Sequence, residues 1–421
     1  MRYFQALTHL VFSRRFIVTK NGKQIPATRN KIKLSMNSYV QIIGDSRTEI
    51  WGMTGRTRLA RMLERIDGVS VITGMAELPP GAPVIFLRGD YIFDVRVLQA
   101  VIGMDNGFVL HPQDDDAAIA IRTTDYDANV FDHDHYPDSL TRVAVDDLVN
   151  PYNDRLKKYE PARVWRILPD NRELLERELF SGSYKGVTDL VTKWVWPVPA
   201  RWATKVCTRL KLKPNHVTLF SLVLAILAGY AFWLGEFAGG LLLGWFMTFL
   251  DTVDGKLARV TLTSSRFGDL LDHGLDLVHP PLWYLAWGVG LAVATPGTTP
   301  LALLMGLMLA AYLGGRLCEG VFQHYLADFS IFMWRPVDSL TRLITARRNP
   351  NMLILTAALV AGRPDTGLVM VVAWHVLSTL FLLLRLGVAW KAKQDQGPLV
   401  GWLSTVGEGT RHNGLALKIF T

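Results

Sequence analysis

Cysteine is almost missing from this chain. Cys207 and Cys318 are the only two in 421 residues, and they lie far apart. That excludes a disulfide framework and any cysteine-built metal site. Long apolar runs are missing before about residue 180, so the first part reads as soluble, whereas such runs dominate from about residue 217 onward. The opening MRYFQALTHLVFSRRF is short in apolar length and has no small-residue cleavage site, so a cleavable signal peptide is not expected. No internal repeat or long low-complexity segment is visible. Acidic residues are missing between Arg201 and Lys213, where Arg201, Lys205, Arg209, Lys211 and Lys213 precede the first apolar run. Such a stretch suits anionic headgroups, at about 1 kcal/mol per basic residue near the surface. The net charge of +8 is therefore read as membrane-directed rather than nucleic-acid-directed, because the basic cluster abuts a hydrophobic span.

What is present, in the second half, is a set of six apolar spans, roughly 216–235, 238–256, 270–295, 299–325, 350–362 and 366–390. The fifth is short, and Pro280 and Pro281 predict a kink in the third. Basic residues concentrate on one side: Lys256, Arg259 and Arg266 in one loop, Arg335, Arg342, Arg347 and Arg348 in another, Lys391 and Lys393 after the last span. The opposite turns hold only Arg363. The positive-inside rule then predicts cytosolic termini, and the expected location is the cell (inner) membrane. The expected fold is an α-helical membrane bundle of six transmembrane helices preceded by a soluble α/β domain. The expected boundaries are a cytosolic domain over 1–180, an interfacial linker over 181–215 with tryptophans at headgroup level, the bundle over 216–392 and a cytosolic tail over 393–421.

Four carboxylates interrupt the apolar pattern. Asp251 and Asp254 are three apart and Asp272 and Asp276 four apart, so each pair shares a helix face. Uncompensated acids at membrane depth cost about 2.5–3.5 kcal/mol each on insertion scales, and converging acids also repel. Some counter-charge is required, and divalent cations held by oxygen ligands supply it economically. At 1.5 Å per residue, Asp251 lies about 7–8 Å along its helix from Lys256, just below headgroup level. A water-soluble and an apolar reactant could both reach that depth. An ion transporter is the rival reading, but its acids would be spread along a path instead of gathered at one mouth beside an arginine.

The segment 251–276, DTVDGKLARVTLTSSRFGDLLDHGLD, resembles the signature of the CDP-alcohol phosphotransferases, D-x2-D-G-x2-A-R-x8-G-x3-D-x3-D. Asp251, Asp254, Gly255, Ala258, Arg259, Gly268, Asp272 and Asp276 fill its eight fixed positions. The resemblance implies that Asp251, Asp254 and Asp272 ligate Mg2+ or Mn2+, two ions in all, bridging a CDP diphosphate. Asp276 would be the general base toward an acceptor hydroxyl and a further metal contact. Gly255 and Ala258 lack bulk, which suits either close approach of a nucleotide or helix packing; within the signature the nucleotide reading leads. Arg259 has the planar fork that pairs with a diphosphate, and Gly268 belongs to the same face as Asp272. KPNHVTL, before the first span, is similar to a family element that places Asn215 and Thr218 beside CDP, although an N-cap and first turn explain it equally well. Arg316, Arg348 and Arg385 are charged residues in or beside apolar spans, and they are candidates for binding a phosphate on the acceptor. Against that, Arg316 is one turn from Glu319, and Arg385 can snorkel.

The resemblance further implies transfer of a substituted phosphate to an alcohol with release of CMP, a phosphatidyl group from CDP-diacylglycerol in most relatives, and a homodimer.

In the soluble half, SYVQIIGD, VSVITGM, PVIFLRGD, AAIAIRTTD and TRVAVDD read as strands and TGRTRLARMLERI as an amphipathic helix, which predicts a mainly parallel sheet. This faintly resembles the nucleotidyltransferase domain fused to some family members. After the first strand, however, GDSRTEIWGMTG lacks the glycine-rich run that cradles phosphates through backbone N–H groups. A catalytically silent domain is expected; the alternative is a bifunctional enzyme making its own CDP-linked polar alcohol, such as CDP-inositol. Asp90 could be a metal carboxylate but more simply forms a Gly-Asp turn. HPQDDD (111–116) and DHDHYPD (132–138) are read as solvated acidic loops.

Overall fold

The computed structural model describes residues 14–18, 24–28, 38–112, 116–125, 130–131, 136–137, 139–294, 300–406 and 414–420, with the backbone alone at 14–18, 24–28, 75, 266–267, 269–273 and 294. Most of both acidic loops, 113–115 and 132–135 with 138, lies outside the described residues. The described chain falls into two compact units. One is drawn from 1–45, 56–149 and 163–165; the other from 46–55, 150–162 and 166–421.

In the first unit, β1 (Arg14–Val18) and β2 (Gln24–Thr28) pair as an antiparallel hairpin. A six-stranded sheet follows, built from β3 (Ser38–Ile43), β4 (Val69–Val71), β5 (Val84–Arg88), β7 (Phe108–His111), β8 (Ala120–Thr123) and β9 (Thr141–Ala144) in the order β4-β3-β5-β8-β7-β9. The short strand β6 (Tyr91–Phe93) lies outside it. Helices α1 (Gly55–Leu63) and α2 (Val95–Ile102) intervene. The five expected strands and the expected helix are present, and three of the sheet's five pairings are parallel as expected, β8 being the exception. β3 pairs parallel with β4 and β5, and β7 with β9, while β8 runs antiparallel to both β5 and β7. The reason is connection length: the eight residues 112–119 joining β7 to β8 are too few for a crossover, which takes a dozen or more. Val84, Phe86, Val109 and Ile121 fill this unit's core.

In the second unit the helices that matter are α3 (Arg172–Gly182), α4 (Pro197–Arg209), α5 (Pro214–Trp233), α6 (Phe237–Val260), α7 (Arg266–Ala294), α8 (Leu301–Val321), α9 (Pro336–Arg342), α10 (Arg348–Val360) and α11 (Pro364–Gln396). Pro214 and Pro364 open their helices in the first turn, where a missing N–H costs nothing. Gly235 closes α5 at φ 80° and Gly362 closes α10 at φ 69°, backbone values a side chain would disfavour. Helix α7 runs unbroken through Pro280 and Pro281. Among the described residues three segments are long and apolar enough to cross a membrane: Pro214–Trp233, Leu301–Leu326 and Pro364–Gln396. Helix α10, with 13 residues, reaches only about 20 Å.

Trp283 and Trp287 of α7 pack against Phe232 of α5, joined by Phe237, Tyr284, Met308 and Leu368, to form the bundle core. The Trp283 indole N–H donates to the Ala225 carbonyl at 2.8 Å, so a core tryptophan also satisfies its polar edge. Where α7 crosses the end of α5, a β-carbon at Gly290 would run into the Phe232 carbonyl and stand 3.0 Å from Cα of Gly235. Gly290→Ala should therefore destabilise the detergent-solubilised protein by about 1–3 kcal/mol through overpacking, read as a lower Tm. Gly306→Ala, where a β-carbon meets nothing within 4 Å, should leave Tm unchanged or raise it.

Candidate active site

Helices α6 and α7 bring their acids to one guanidinium. Arg348, at the start of α10, donates from Nη2 to Asp251 Oδ2 at 2.5 Å and from Nη1 to Asp276 Oδ1 at 2.7 Å. The Arg348 side chain is 14% exposed, Asp251 15% and Asp276 48%, so the α6 contact is the better shielded of the two. The counter-charge that the acids require is thus present in the chain itself. Asp254 is buried and accepts a 2.6 Å hydrogen bond from Thr218 Oγ1 of α5. The backbone of Asp272 continues α7 one turn before Asp276, and its side chain lies outside the described residues.

The two signature glycines make room for polar neighbours. A β-carbon at Gly255 would stand 3.2 Å from Arg259 Nη2, and one at Gly268 would stand 3.0 Å from Asn215 Oδ1. Neither polar group could keep its place beside an alanine without shifting. Ala258 is half-buried on the same helix.

A cavity of about 1060 Å³, mouth included, opens over Asp251 and Asp276. Gly255 and Arg259 line it from α6, Tyr284 from α7, Tyr312 and Arg316 from α8, and Arg342, Arg347, Arg348 and Asn349 from α9, α10 and their junction. Tyr184, Lys185, Thr188, Asp189 and Thr192 line it from the segment after α3. Seven of the lining residues are cationic (Lys185, Lys256, Arg259, Arg316, Arg342, Arg347 and Arg348) against three described carboxylates, Asp189, Asp251 and Asp276. Such a cavity attracts anions. Burial pushes the Arg342 guanidinium down to about 10, with Arg347 adding to the effect and Asp189 opposing it. Burial raises the Asp189 carboxyl, but Arg342 and hydrogen bonds from Thr192 and Asn349 outweigh it and hold the group below its usual range.

Of the proposed acceptor arginines, Arg316 and Arg348 line the cavity. Arg316 also stands 3.9 Å from Glu319, the helical neighbour anticipated for it, and Arg347 pairs with the same carboxylate. Arg385 is elsewhere: its guanidinium donates to both oxygens of Asp338, at 2.5 and 3.0 Å, and lies over the Trp334 ring. Its partner, Asp338 of α9, was not readable from the sequence. In the first unit, both Asp90 oxygens accept from Arg88, at 2.9 and 2.8 Å, so that carboxylate is held by its own strand. Residues missed in the sequence include Tyr184, Asp189, Lys256 and Asn349. The only available signal was Asp189 three before Thr192, an N-cap spacing; Asp189 indeed accepts from the Val191 and Thr192 N–H groups.

Among the described residues no three His, Cys, Asp or Glu side chains gather as a metal cluster. The donor chemistry nevertheless fits a hard divalent cation: Asp251 and Asp276 are carboxylates on adjacent helices that already face one positive group, with Asp254 one turn away.

Fold and site define a helical membrane protein whose acids and arginines share one cavity. Over residues 211–377 the chain matches the CDP-alcohol phosphatidyltransferase family. Relatives include choline/ethanolaminephosphotransferase 2 of Arabidopsis thaliana, 40% identical over 90 residues (18% of this chain, 23% of the relative). Archaetidylinositol phosphate synthase of Pyrococcus horikoshii is 37% identical over 73 residues (17% of this chain, 38% of the relative). The chain thus spans well under half the length of the curated relatives it matches.

Thr218→Val removes the hydroxyl that Asp254 accepts from and should cost about 1–3 kcal/mol, measured as a fall in Tm; Thr218→Ser should restore it. Arg348→Ala leaves two acids facing each other and should cost about 2 kcal/mol, less than a fully buried pair because Asp276 is half-exposed. An Arg348→Ala protein as stable as the parent would show that this guanidinium is not the acids' counter-charge.

Proposed function

We propose that the protein is an integral membrane CDP-alcohol phosphotransferase that moves a substituted phosphate, phosphatidyl from CDP-diacylglycerol, to an acceptor hydroxyl and releases CMP in phospholipid synthesis. The observation that carries this reading is the intact eight-position signature, lying inside the matched domain with its first and last aspartates turned to a common guanidinium.

On this reading the bundle has six transmembrane helices, α5–α8, α10 and α11, with both termini and the cavity mouth cytosolic, as the placement of basic residues supports. Asn215, Thr218, Gly255, Ala258, Arg259 and Gly268 receive the CDP moiety, with Arg259 directed at the diphosphate. Asp251, Asp254, Asp272 and Asp276 would hold two Mg2+ or Mn2+ ions, which when bound neutralise the diphosphate and the departing CMP. Asp276 accepts the proton of the acceptor hydroxyl while that oxygen bonds to phosphorus and the bond to CMP breaks. Its half-exposed carboxylate is the acid most open to an incoming reactant. The basic wall of Arg316, Arg342, Arg347 and Arg348 favours an acceptor that is itself anionic, such as a phosphorylated polyol. One relative's name, an archaetidylinositol phosphate synthase, describes a product of that kind. The active unit is a homodimer, and the first unit is catalytically silent.

The test is incubation of the bilayer-reconstituted protein with radiolabelled CDP-diacylglycerol and a panel of acceptors. CMP release should require an acceptor and a divalent ion, stop with EDTA, and fall by about 10²–10⁴ in Asp276→Asn, the scale of a lost general base. Turnover unaffected by EDTA would remove the metal from the proposal. Activity with CDP-linked polar alcohols alone would replace the lipid donor.

A further inference from the structure

We propose that Ser183–Thr192 is a strap that closes the cavity against bulk water during transfer, and that Lys256 is the positioning residue that holds it down; the proposal rests on the phosphotransferase reading above. The segment is irregular between α3 and a single wide helical turn at Val191–Val195, yet it supplies one side of the cavity through Tyr184, Lys185, Thr188, Asp189 and Thr192. It is fastened at both ends by polar contacts. At the far end, Asn349 Nδ2 donates to Asp189 Oδ1 at 3.0 Å and Thr192 Oγ1 at 3.2 Å, and the Leu190 N–H donates to the Leu343 carbonyl at 3.0 Å. At the near end the fastening is Lys256. Its ammonium donates to the Ser183 carbonyl at 3.2 Å and stands 3.0 Å from the centre of the Tyr184 ring.

Lys256 is 3% exposed and sits two residues after Asp254 on the helix that carries the acids. A buried ammonium has three donors and needs partners for them. Here one donor meets a carbonyl and the charge meets a ring face, both belonging to the strap. Opening the strap strips Lys256 of both, so the lysine favours closure. It also lines the cavity, where a substrate phosphate could meet a remaining donor while the strap stays down. Closure matters because water competes with the acceptor. If water attacks instead, its oxygen bonds to the phosphorus, the bond to CMP breaks, the proton passes to solvent, and the products are CMP and the free substituted phosphate. Excluding water suppresses that loss. Val187 and Leu190 pack against apolar side chains behind the segment, but the fastenings beside the cavity are polar and can be exchanged for water when it lifts to admit substrate.

The test uses the full chain in a lipid bilayer with CDP-diacylglycerol and an accepted alcohol, counting CMP and transfer product separately. In the parent the two should match. Lys256→Met and Tyr184→Leu should lower kcat for transfer about tenfold, the scale of a misplaced site wall, and release CMP in excess of product. Tyr184→Phe keeps the ring face under the Lys256 ammonium, so CMP and product should stay matched in it, unlike in Tyr184→Leu. A second readout needs no turnover. In a Cys207→Ser, Cys318→Ser background, Thr188→Cys should react with a water-soluble maleimide about tenfold faster when Lys256→Met is added, as a locally opened segment does. Matched CMP and product in Lys256→Met, with labelling unchanged, would overturn the strap and leave Lys256 acting on substrate alone. If the parent releases no CMP with any donor, the phosphotransferase reading fails instead, and the labelling rates alone decide the strap.

Discussion

Arg348 stands between the acids of two helices, and the arrangement of the bundle follows from that charge balance. Carboxylates inside an apolar assembly either find a partner or force the helices apart. The guanidinium that meets Asp251 of α6 and Asp276 of α7 comes from the first residue of α10, so one side chain ties three helices together. Helix α10 begins at the site itself, and its 13 residues run from there toward Gly362. The hydrophobic core of Trp283, Trp287 and Phe232 then packs on the side away from the charges. Polar and apolar halves of the bundle are separated along the helices, with α7 contributing Asp276 to one and Trp283 and Trp287 to the other.

How much of this could be read from the sequence depends on the range of the interaction. Helical spacing is local, so the placing of Asp251 and Asp254 one turn apart on one helix was legible, whereas Lys256, read as a loop residue at headgroup level, is 3% exposed inside α6. Arg316 and Glu319, one turn apart, are likewise within reach of each other, as their spacing suggested. Tertiary partners were not legible. Arg348 and Arg385 look alike in the sequence, as arginines beside or within apolar spans. One ends between two carboxylates of the site and the other on Asp338, whose place depends on how α9 folds back toward α11. The same limit applies to the first unit. Alternation identifies the strands, but the direction of β8 follows from the length of its connection to β7, which needed the position of an unrecognised strand. Tyr184 and Asp189 escaped notice because they belong to an irregular segment with no period to betray which way it faces.

The signature glycines show how local and tertiary information meet. By composition, Gly255 and Gly268 could serve close helix packing or the approach of a ligand. Their surroundings favour a more particular role: each leaves space that a polar side chain from one turn or one helix away occupies, Arg259 in one case and Asn215 in the other. A β-carbon at either place would meet that polar neighbour rather than a hydrophobic one. The small residue and the polar residue therefore act as a pair, and a search for the site by charged residues alone would find only half of it.

Charge distribution around the cavity completes the argument. Asp251 and Asp276 lie on α6 and α7, and four of the five lining arginines on α8, α9 and the start of α10, so most of the lining divides into an acidic and a basic wall with Arg348 between them, while Arg259 of α6 and Asp189 after α3 cross that division. A uniformly basic cavity would draw phosphates but could not orient them. A uniformly acidic one would hold cations and repel the reactants. Two opposed walls distinguish the ends of a ligand, because an anionic group gains most against the arginines, whereas a group that arrives with its own cations can approach the carboxylates. Two phosphate-bearing reactants that differ in their bound cations would therefore settle on different walls, facing each other across the half-exposed Asp276.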